Sequence, residues 1–477
     1  MQTDHHITMP AEIFRAYDIR GIYNQTLNAH WSKLIGLAIG SEAITRGQAT
    51  LTVAYDGRLS SVELSNALIE GILACGVNVI NIGLAPTPVL YFSTYHLHTG
   101  SGVMVTGSHN PTDYNGFKIM LGGHTLAGEE ITALHQRIRN QELTTSTCGK
   151  LTHEDIKEAY LARITEAHAF NKPLKVVVDC GNGVAGPWIT ELLPRLGCEI
   201  IPLYCDIDGT FPNHHPDPEK AENLQDLITA VRNSDADIGL AFDGDGDRIG
   251  VVSNTGQIID ADQLLCLFAE DLLARHPGAE IVHDVKCSLT LRRLIQQAGG
   301  IATMWKSGHS MIKNRMRETQ ALFGGEFSGH IFFADQWYGF DDGLYSAVRL
   351  LELMTNAELT AEQIFNGYPT LCATPMYYLE VTEAEKFKLI EQLQQLPFPG
   401  ANIYTIDGLR IEYPDGWAGI RASNTTPMLT LRFEADCLAA LHRIHDEFSK
   451  QLKLAAIDLQ IPELAVTNDT NIINRDN

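Results

Sequence analysis

Short apolar runs recur along the chain. Each is closed by a polar, glycine-bearing loop, and stretches with helical spacing lie between them. Residues 51–55 read as a strand that runs into Asp56-Gly-Arg58, followed by a helix over 62–73, Gly76 and a second strand over 77–82. The pattern returns at 175–178, which lead into Asp179-Cys-Gly-Asn-Gly183, a helix from about 188 to 196, Gly197 and a strand over 199–204. It returns again at 281–283, with Asp284-Val-Lys286, a helix from about 289 to 297, Gly299-Gly300 and a strand ending at Trp305. Glycine closes each helix, and strand–helix–strand units of this kind predict parallel sheets with right-handed crossovers.

Each unit is followed by one more strand and a polar loop. Residues 103–105 lead to Thr106-Gly-Ser-His-Asn-Pro111, residues 238–242 to Asp243-Gly-Asp-Gly-Asp-Arg248, and residues 321–323 to Gly324-Gly-Glu-Phe-Ser-Gly-His330. Ligands of open α/β sheets bind at the carboxyl ends of the strands, so the three loops are expected to face one cleft. Helices over 151–167 and 260–274 are expected to lead into the second and third domains. Past about 369 the pattern changes to strands at 377–381, 403–406, 409–413, 417–421 and 428–433, with helices at 382–393 and 437–454. That order suits a smaller α+β domain with an antiparallel sheet.

The expected fold is therefore α/β: three similar α/β domains with mixed, largely parallel sheets plus a C-terminal α+β domain, arranged around a central cleft. The expected boundaries are 1–153, 154–257, 258–369 and 370–459, with a loose polar tail over 460–477.

The length of 477 residues fits several domains of roughly 150 residues each. No apolar run reaches the ~18 residues that a membrane span needs, and the N-terminus lacks the basic-then-apolar order of a signal peptide. Nine scattered cysteines without a Cys-x-x-Cys pair argue against a disulfide framework or a zinc site, and point to a reducing cytoplasm. The net charge of −23 argues against nucleic acid as a partner. It also means that an anionic substrate needs positive charge gathered locally.

Several loops carry chemistry. Ser108 lies on a tight turn between Thr106-Gly107 and Asn110-Pro111, beside His109 and ahead of Lys118, a setting for a covalent nucleophile. Asp243, Asp245 and Asp247 alternate with glycines, and three carboxylates so close repel unless a cation lies between them. Oxygen-only donors favour Mg²⁺ or Ca²⁺. An EF-hand would need Gly and an acid where Arg248 and Asn254 stand, so that reading fails. Arg248 suits a phosphate oxygen or the neutralisation of the acidic loop. Arg58 and Lys286, taken alone, read as solvated charges at strand ends. Glu326, Ser328 and His330 could grip sugar hydroxyls. A Glu–Ser–His hydrolase would use the same residue types, but Ser108 is not in a G-x-S-x-G elbow. Arg421-Ala-Ser-Asn-Thr425 between two strands suits an anion cradle or an ordinary hairpin.

Taken together, the serine loop 106–111, the metal loop 243–248, the sugar loop 325–330 and the phosphate loop 421–427 resemble the α-D-phosphohexomutase family in chain order. Phe14-Arg-Ala-Tyr-Asp-Ile-Arg-Gly21 and Lys306-Ser-Gly-His309 are similar to further family segments. The resemblance covers about residues 12–455 and lies nearest the bacterial phosphomannomutase/phosphoglucomutase group; Phe327 stands where that group more usually has Met. It implies a phosphorylated Ser108, and Mg²⁺ held by Asp243, Asp245, Asp247 and the phosphoserine. It implies substrate contacts from Tyr17, Lys286, His309, Glu326, Ser328, His330, Arg421, Ser423, Asn424 and Thr425. Arg20, His109, Lys118, Arg248 and His330 are implied at the reaction centre, with His330 or Lys118 as acid/base.

The implied activity is that of an isomerase: hexose 6-phosphate and hexose 1-phosphate interconvert through a phosphoserine enzyme and a hexose 1,6-bisphosphate, with mannose and glucose as the sugars. A phosphoglucosamine mutase and a metal-dependent sugar phosphatase are the alternatives. Partners are expected to be small sugar phosphates, with no nucleic acid and no membrane. Oligomeric state stays open, a monomer being compatible.

Overall fold

The computed structural model describes residues 9–423, 428–454, 457 and 459–466, with backbone alone at 383 and 384. The chain divides into two compact units, Met1–Leu264 with His309–Phe365, and Leu265–Gly308 with Asn366–Asn477.

In the first unit, a seven-stranded sheet runs in the order Ile19–Ile22, Tyr114–Leu121, Gly102–Val105, Thr50–Tyr55, Asn78–Leu84 and Leu151–His153, with His124–Thr125 on Tyr114–Leu121. Thr50–Tyr55 pairs in parallel with both Asn78–Leu84 and Gly102–Val105, as the crossover pattern predicts. Tyr114–Leu121 is antiparallel to Gly102–Val105 and to Ile19–Ile22, in a register that sets Met104 opposite Lys118 and Arg20 opposite Gly116. All four residues of Gly102–Val105 are buried, which explains their unbroken apolar run.

A second sheet has the order Ile258–Ile259, Ile249–Ser253, Ile238–Phe242, Lys175–Asp179 and Glu199–Leu203. Its last three strands are parallel and its first three antiparallel. The hairpin Phe323–Gly325 with Ile331–Phe333 and the helices His309–Thr319 and Gly343–Asn356 complete this unit.

In the second unit, Glu280–Asp284 pairs in parallel with Ile301–Trp305. An antiparallel sheet follows the order Cys372–Ala373, Met428–Ala435, Gly416–Ala422, Leu409–Tyr413 and Asn402–Tyr404, with Tyr377–Glu380 also on Met428–Ala435. Residues of Glu383–Leu393 and Leu438–Leu454 bury apolar side chains in its core.

Several expectations need correction. The helix expected over 151–167 is an edge strand, Leu151–His153, then a separate helix, Lys157–Thr165. The first three residues instead take the open edge beside Asn78–Leu84, and Asp155 accepts from Lys157 N to start the helix afresh. The strand expected at 321–323 lies at Phe323–Gly325. Residues 460–466 do not hang loose. Ile461, Leu464 and Val466 pack on the C-terminal core, and the Tyr377 hydroxyl bonds Glu463 O at 3.1 Å and accepts from Ala465 N at 2.9 Å. Residues 467–477 lie outside the described residues.

Candidate active site

Ser108 follows the fully buried strand Gly102–Val105 and sits in the left-handed region, φ 49°. A residue with a Cβ holds that conformation only where its surroundings enforce it. Here Ser108 N donates to Thr106 Oγ1 at 2.7 Å, while Thr106 Oγ1 and Gly107 N donate to Asp56 Oδ2 at 2.8 and 3.1 Å. The result places Ser108 Oγ 3.1 Å from Asp243 Oδ2 and 3.2 Å from His109 Nδ1. Gly244 is glycine for a steric reason: a Cβ there would lie 2.5 Å from Ser108 O.

Asp243, Asp245 and Asp247 are fully buried, with carboxylate oxygens within 4.8 Å of one another. Lys118 Nζ donates to Asp245 Oδ2 at 2.8 Å and to Asp247 Oδ2, and Thr87 Oγ1 also donates to Asp245. Burial and the two neighbouring acids push Asp243 well above the usual carboxylate range. Burial acts on Asp245 and Asp247 too, but the Lys118 ammonium outweighs it and holds both below that range. Lys118 itself is raised by these carboxylates against the effect of burial. Asp245 Oδ1 is buried and has no hydrogen-bond partner among the described residues. Arg248 Nε is 3.9 Å from Asp243 Oδ2. The set of three carboxylates fits a hard divalent cation.

Arg248 Nε lies 3.3 Å from His330 Nε2. His330 also meets Asp247 Oδ1 at 3.3 Å, Glu326 Oε2 at 3.1 Å and Ser328 Oγ at 3.1 Å. Burial lowers its pKa, but Asp247 overcomes this and the imidazole is pushed up to about 9. Its Nε2 thus lies between the Arg248 guanidinium and the Asp247 carboxylate. The other two histidines are the reverse. Burial, then Arg248 and Arg20, hold His109 well below its ordinary value; burial, then Lys313 and Lys118, do the same for His309. His309 lies with its ring centroid 5.5 Å from Tyr17 and 5.8 Å from His330, and Nδ1 3.6 Å from Asp341 Oδ2. Arg20 Nη1 donates to Gly107 O and to Asn110 Oδ1 at 2.7 Å, and Nη2 pairs with Asp18.

The first unit thus brings together Tyr17, Arg20, Ser108, His109, Lys118, the three aspartates, Arg248, His309, Glu326, Ser328 and His330. Lys286, Arg421 and Ser423 belong to the second unit. There, Lys286 Nζ is 3.7 Å from Asp284, and Arg421 Nε is 3.0 Å from Asp407 Oδ2, which also accepts from Ser307 N at 3.0 Å. Ser423 O accepts from Lys386 Nζ at 2.8 Å. Asn424 and Thr425 lie outside the described residues.

Sequence reasoning missed Asp56, Thr106, Asp341 and Lys313, and misread Arg58. Arg58 is not a solvated strand-end charge; its side chain is fully buried. The Asp56-Gly-Arg58 triplet at a strand end was a visible signal, but its acceptors are carbonyls 50 or more residues away. Asp341 accepts from Lys313 Nζ at 2.7 Å, and Lys313 sits 3.9 Å over the Tyr91 ring.

Profiles of four domains match in order. Phosphoglucomutase/phosphomannomutase alpha/beta/alpha domains I, II and III match residues 11–145, 158–256 and 260–371, and the C-terminal domain matches 376–451. The chain belongs to the phosphoglucomutase/phosphomannomutase family. It is 53% identical over 463 residues to a phosphomannomutase/phosphoglucomutase of Pseudomonas aeruginosa, covering 97% of this chain and 100% of that one. It is 48% identical over 441 residues to a phosphoglucomutase of Neisseria meningitidis, covering 92% and 96%. A crystal structure of a phosphoglucomutase/phosphomannomutase family protein from Burkholderia thailandensis superposes with a TM-score of 0.90 at 48% identity, covering 95% of this chain and 100% of that one.

Proposed function

We propose that the protein interconverts the 6- and 1-phosphates of mannose and glucose, with Ser108 as the phosphoryl carrier. The observation that carries this reading is Ser108 Oγ at 3.1 Å from Asp243, beside two more buried aspartates and Lys118. Phosphorylated Ser108 gives its phosphoryl group to the free hydroxyl of a hexose phosphate. The phosphorus–serine bond breaks as the phosphorus–sugar oxygen bond forms, giving a hexose 1,6-bisphosphate. The other phosphate then returns to Ser108, and the net change moves phosphate between C6 and C1.

The chain's own groups divide the work. Lys118 and Arg248 neutralise charge on the transferring group. His109, neutral and 3.2 Å from Ser108 Oγ, takes the serine proton when phosphate returns and gives it back when the serine oxygen leaves. On the sugar side the acid/base is His330 or Lys118: in its neutral form it takes the proton of the attacking sugar hydroxyl, and it gives that proton back to the sugar oxygen that leaves when the other phosphate returns to Ser108. Glu326 and Ser328 are assigned to sugar hydroxyls. Tyr17 and His309, and in the second unit Lys286, Arg421, Ser423, Asn424 and Thr425, are assigned by family likeness to the substrate and its non-reacting phosphate. Mg²⁺, held by Asp243, Asp245, Asp247 and the phosphoserine, would supply a Lewis acid for the phosphoryl oxygens.

The limits of the matched profiles support domain boundaries near 153, 257 and 369. No described helix is long and apolar enough to cross a membrane, and a cytoplasmic location is part of this reading. The test is a mutase assay with mannose, glucose and N-acetylglucosamine phosphates side by side, scoring free phosphate as well. Turnover of mannose and glucose phosphates without phosphate release is the expected result. Preference for the N-acetylglucosamine phosphate, or net release of phosphate, contradicts it.

A further inference from the structure

The Arg58 guanidinium has five N–H donors, and all five are committed. Nε donates to Asp56 Oδ2 at 3.2 Å, Nη2 to Ser108 O at 2.7 Å and Asn110 O at 2.6 Å, and Nη1 to Tyr114 O at 3.0 Å and Pro111 O at 2.5 Å. The side chain has no exposed surface, and the Phe211 ring covers it at 5.2 Å. Gly107 leaves the space it fills: a Cβ there would lie 2.3 Å from Arg58 Cζ. Four carbonyls within seven residues of the serine loop therefore converge on one cation. Asp56, paired with that cation, accepts from Thr106 Oγ1 and Gly107 N on the same loop.

We propose that Arg58 is a positioning residue for phosphoryl transfer: it holds the 106–114 loop so that Ser108 keeps its left-handed backbone and its Oγ faces Asp243. The inference rests on Ser108 being the phosphoryl carrier. Arg58 touches no reacting atom. It acts on the serine through the carbonyl oxygens of the loop, of which the bond to Ser108 O is buried, and an unsatisfied buried carbonyl would drive the loop to relax. Lysine retains the charge but offers three donors without a planar fork, so it cannot satisfy the same acceptors.

Two variants test this. Arg58→Lys keeps the charge, and Thr106→Val removes the hydroxyl that joins Asp56 to Ser108 N while uncovering no ion. Wild type is first mapped for phosphate. If the carrier is not Ser108, the functional assignment fails before either variant is measured. Given phosphoserine at 108, single-turnover transfer from glucose 1,6-bisphosphate to Ser108 is expected to slow about 10²-fold in Arg58→Lys, the scale of a misplaced reacting group, and less in Thr106→Val. KM for hexose phosphates is expected to stay within about threefold, because the groups assigned to the sugar are untouched. Amide exchange at 107–111 should rise in both. Transfer at the wild-type rate in either folded variant overturns the proposal. So does an equal rise in KM, which would mark a general loss of structure. If Arg58→Lys does not fold, Thr106→Val alone decides by the same criteria.

Discussion

Ser108 Oγ and Asp243 Oδ2 stand 3.1 Å apart, although they come from different sheets and are 135 residues apart in sequence. The serine reaches the carboxylate because its backbone is held at φ 49°, and the acidic loop admits it because residue 244 has no side chain. A serine held in the left-handed region over a buried acidic loop is the arrangement on which the proposed phosphoryl transfer rests.

Asp245→Asn should lower kcat by at least about 10²-fold with KM changed only a few-fold, because the lost group acts mainly on the transition state. The same variant removes a partner of Lys118, so excess Mg²⁺ should not restore the rate. Steady-state kinetics over a Mg²⁺ titration checks this, and an unchanged kcat at saturating metal refutes the role.

Arg421→Ala should raise KM by about tenfold or more and release more free bisphosphate per turnover, because binding energy from a remote phosphate is lost. Asp407→Asn should shift the same two quantities in the same direction by less, since Asp407 fixes Arg421 at 3.0 Å and ties it to Ser307 N. A bisphosphate-release assay under turnover distinguishes this from a fold defect.

Mannose and glucose phosphates should both turn over, and Glu326→Gln should reduce kcat/KM for the two sugars alike. Their difference is the configuration at C2, which Glu326 and Ser328 are not assigned to read. Discrimination of ~10⁴-fold, as found where a site hydrogen-bonds the distinguishing hydroxyl, would place a contact at C2 and contradict the assignment.

Much of this arrangement was legible in the sequence, because it follows from local pattern. The three strand–helix–strand repeats and the antiparallel C-terminal strands lie within a few residues of their expected places. The loops that end them carry Ser108, the aspartates and His330. What escaped is set by partners distant in sequence. Arg58 has no local mark of burial, since its acceptors in 108–114 gather only on folding. Glu434 is a further case. It lies on a C-terminal strand, yet its Oε1 accepts from Ser288 Oγ and Leu289 N at 2.9 Å each, at the start of the helix Leu289–Gln297. Arg410 donates to Cys287 O at 2.9 Å and to Val285 O. Such contacts tie residues 265–308 to the C-terminal sheet in one compact unit, although the repeat pattern groups them with the third α/β domain.

The second unit also carries a pH dependence. Burial pushes His283 down to about 4, and its Nδ1 bonds Asp284 O at 3.0 Å, so the folded protein holds the ring neutral. A histidine whose folded pKa is depressed contributes stability that is full above its unfolded value of about 6.5 and is lost as pH falls through about 4. The loss should approach about 3 kcal/mol. Urea unfolding at pH 7 and pH 4.5 should show a smaller loss in His283→Asn than in wild type; equal losses would mean that His283 does not titrate in this window.

Peptide mapping of the active enzyme by mass spectrometry reads the phosphoryl carrier itself. One phosphoryl group is expected, at Ser108. It should be lost on incubation with hexose phosphate in excess as bisphosphate is released, and regained from added bisphosphate. Active enzyme with its stoichiometric phosphoryl group on another residue, or with none at any stage of turnover, would contradict it.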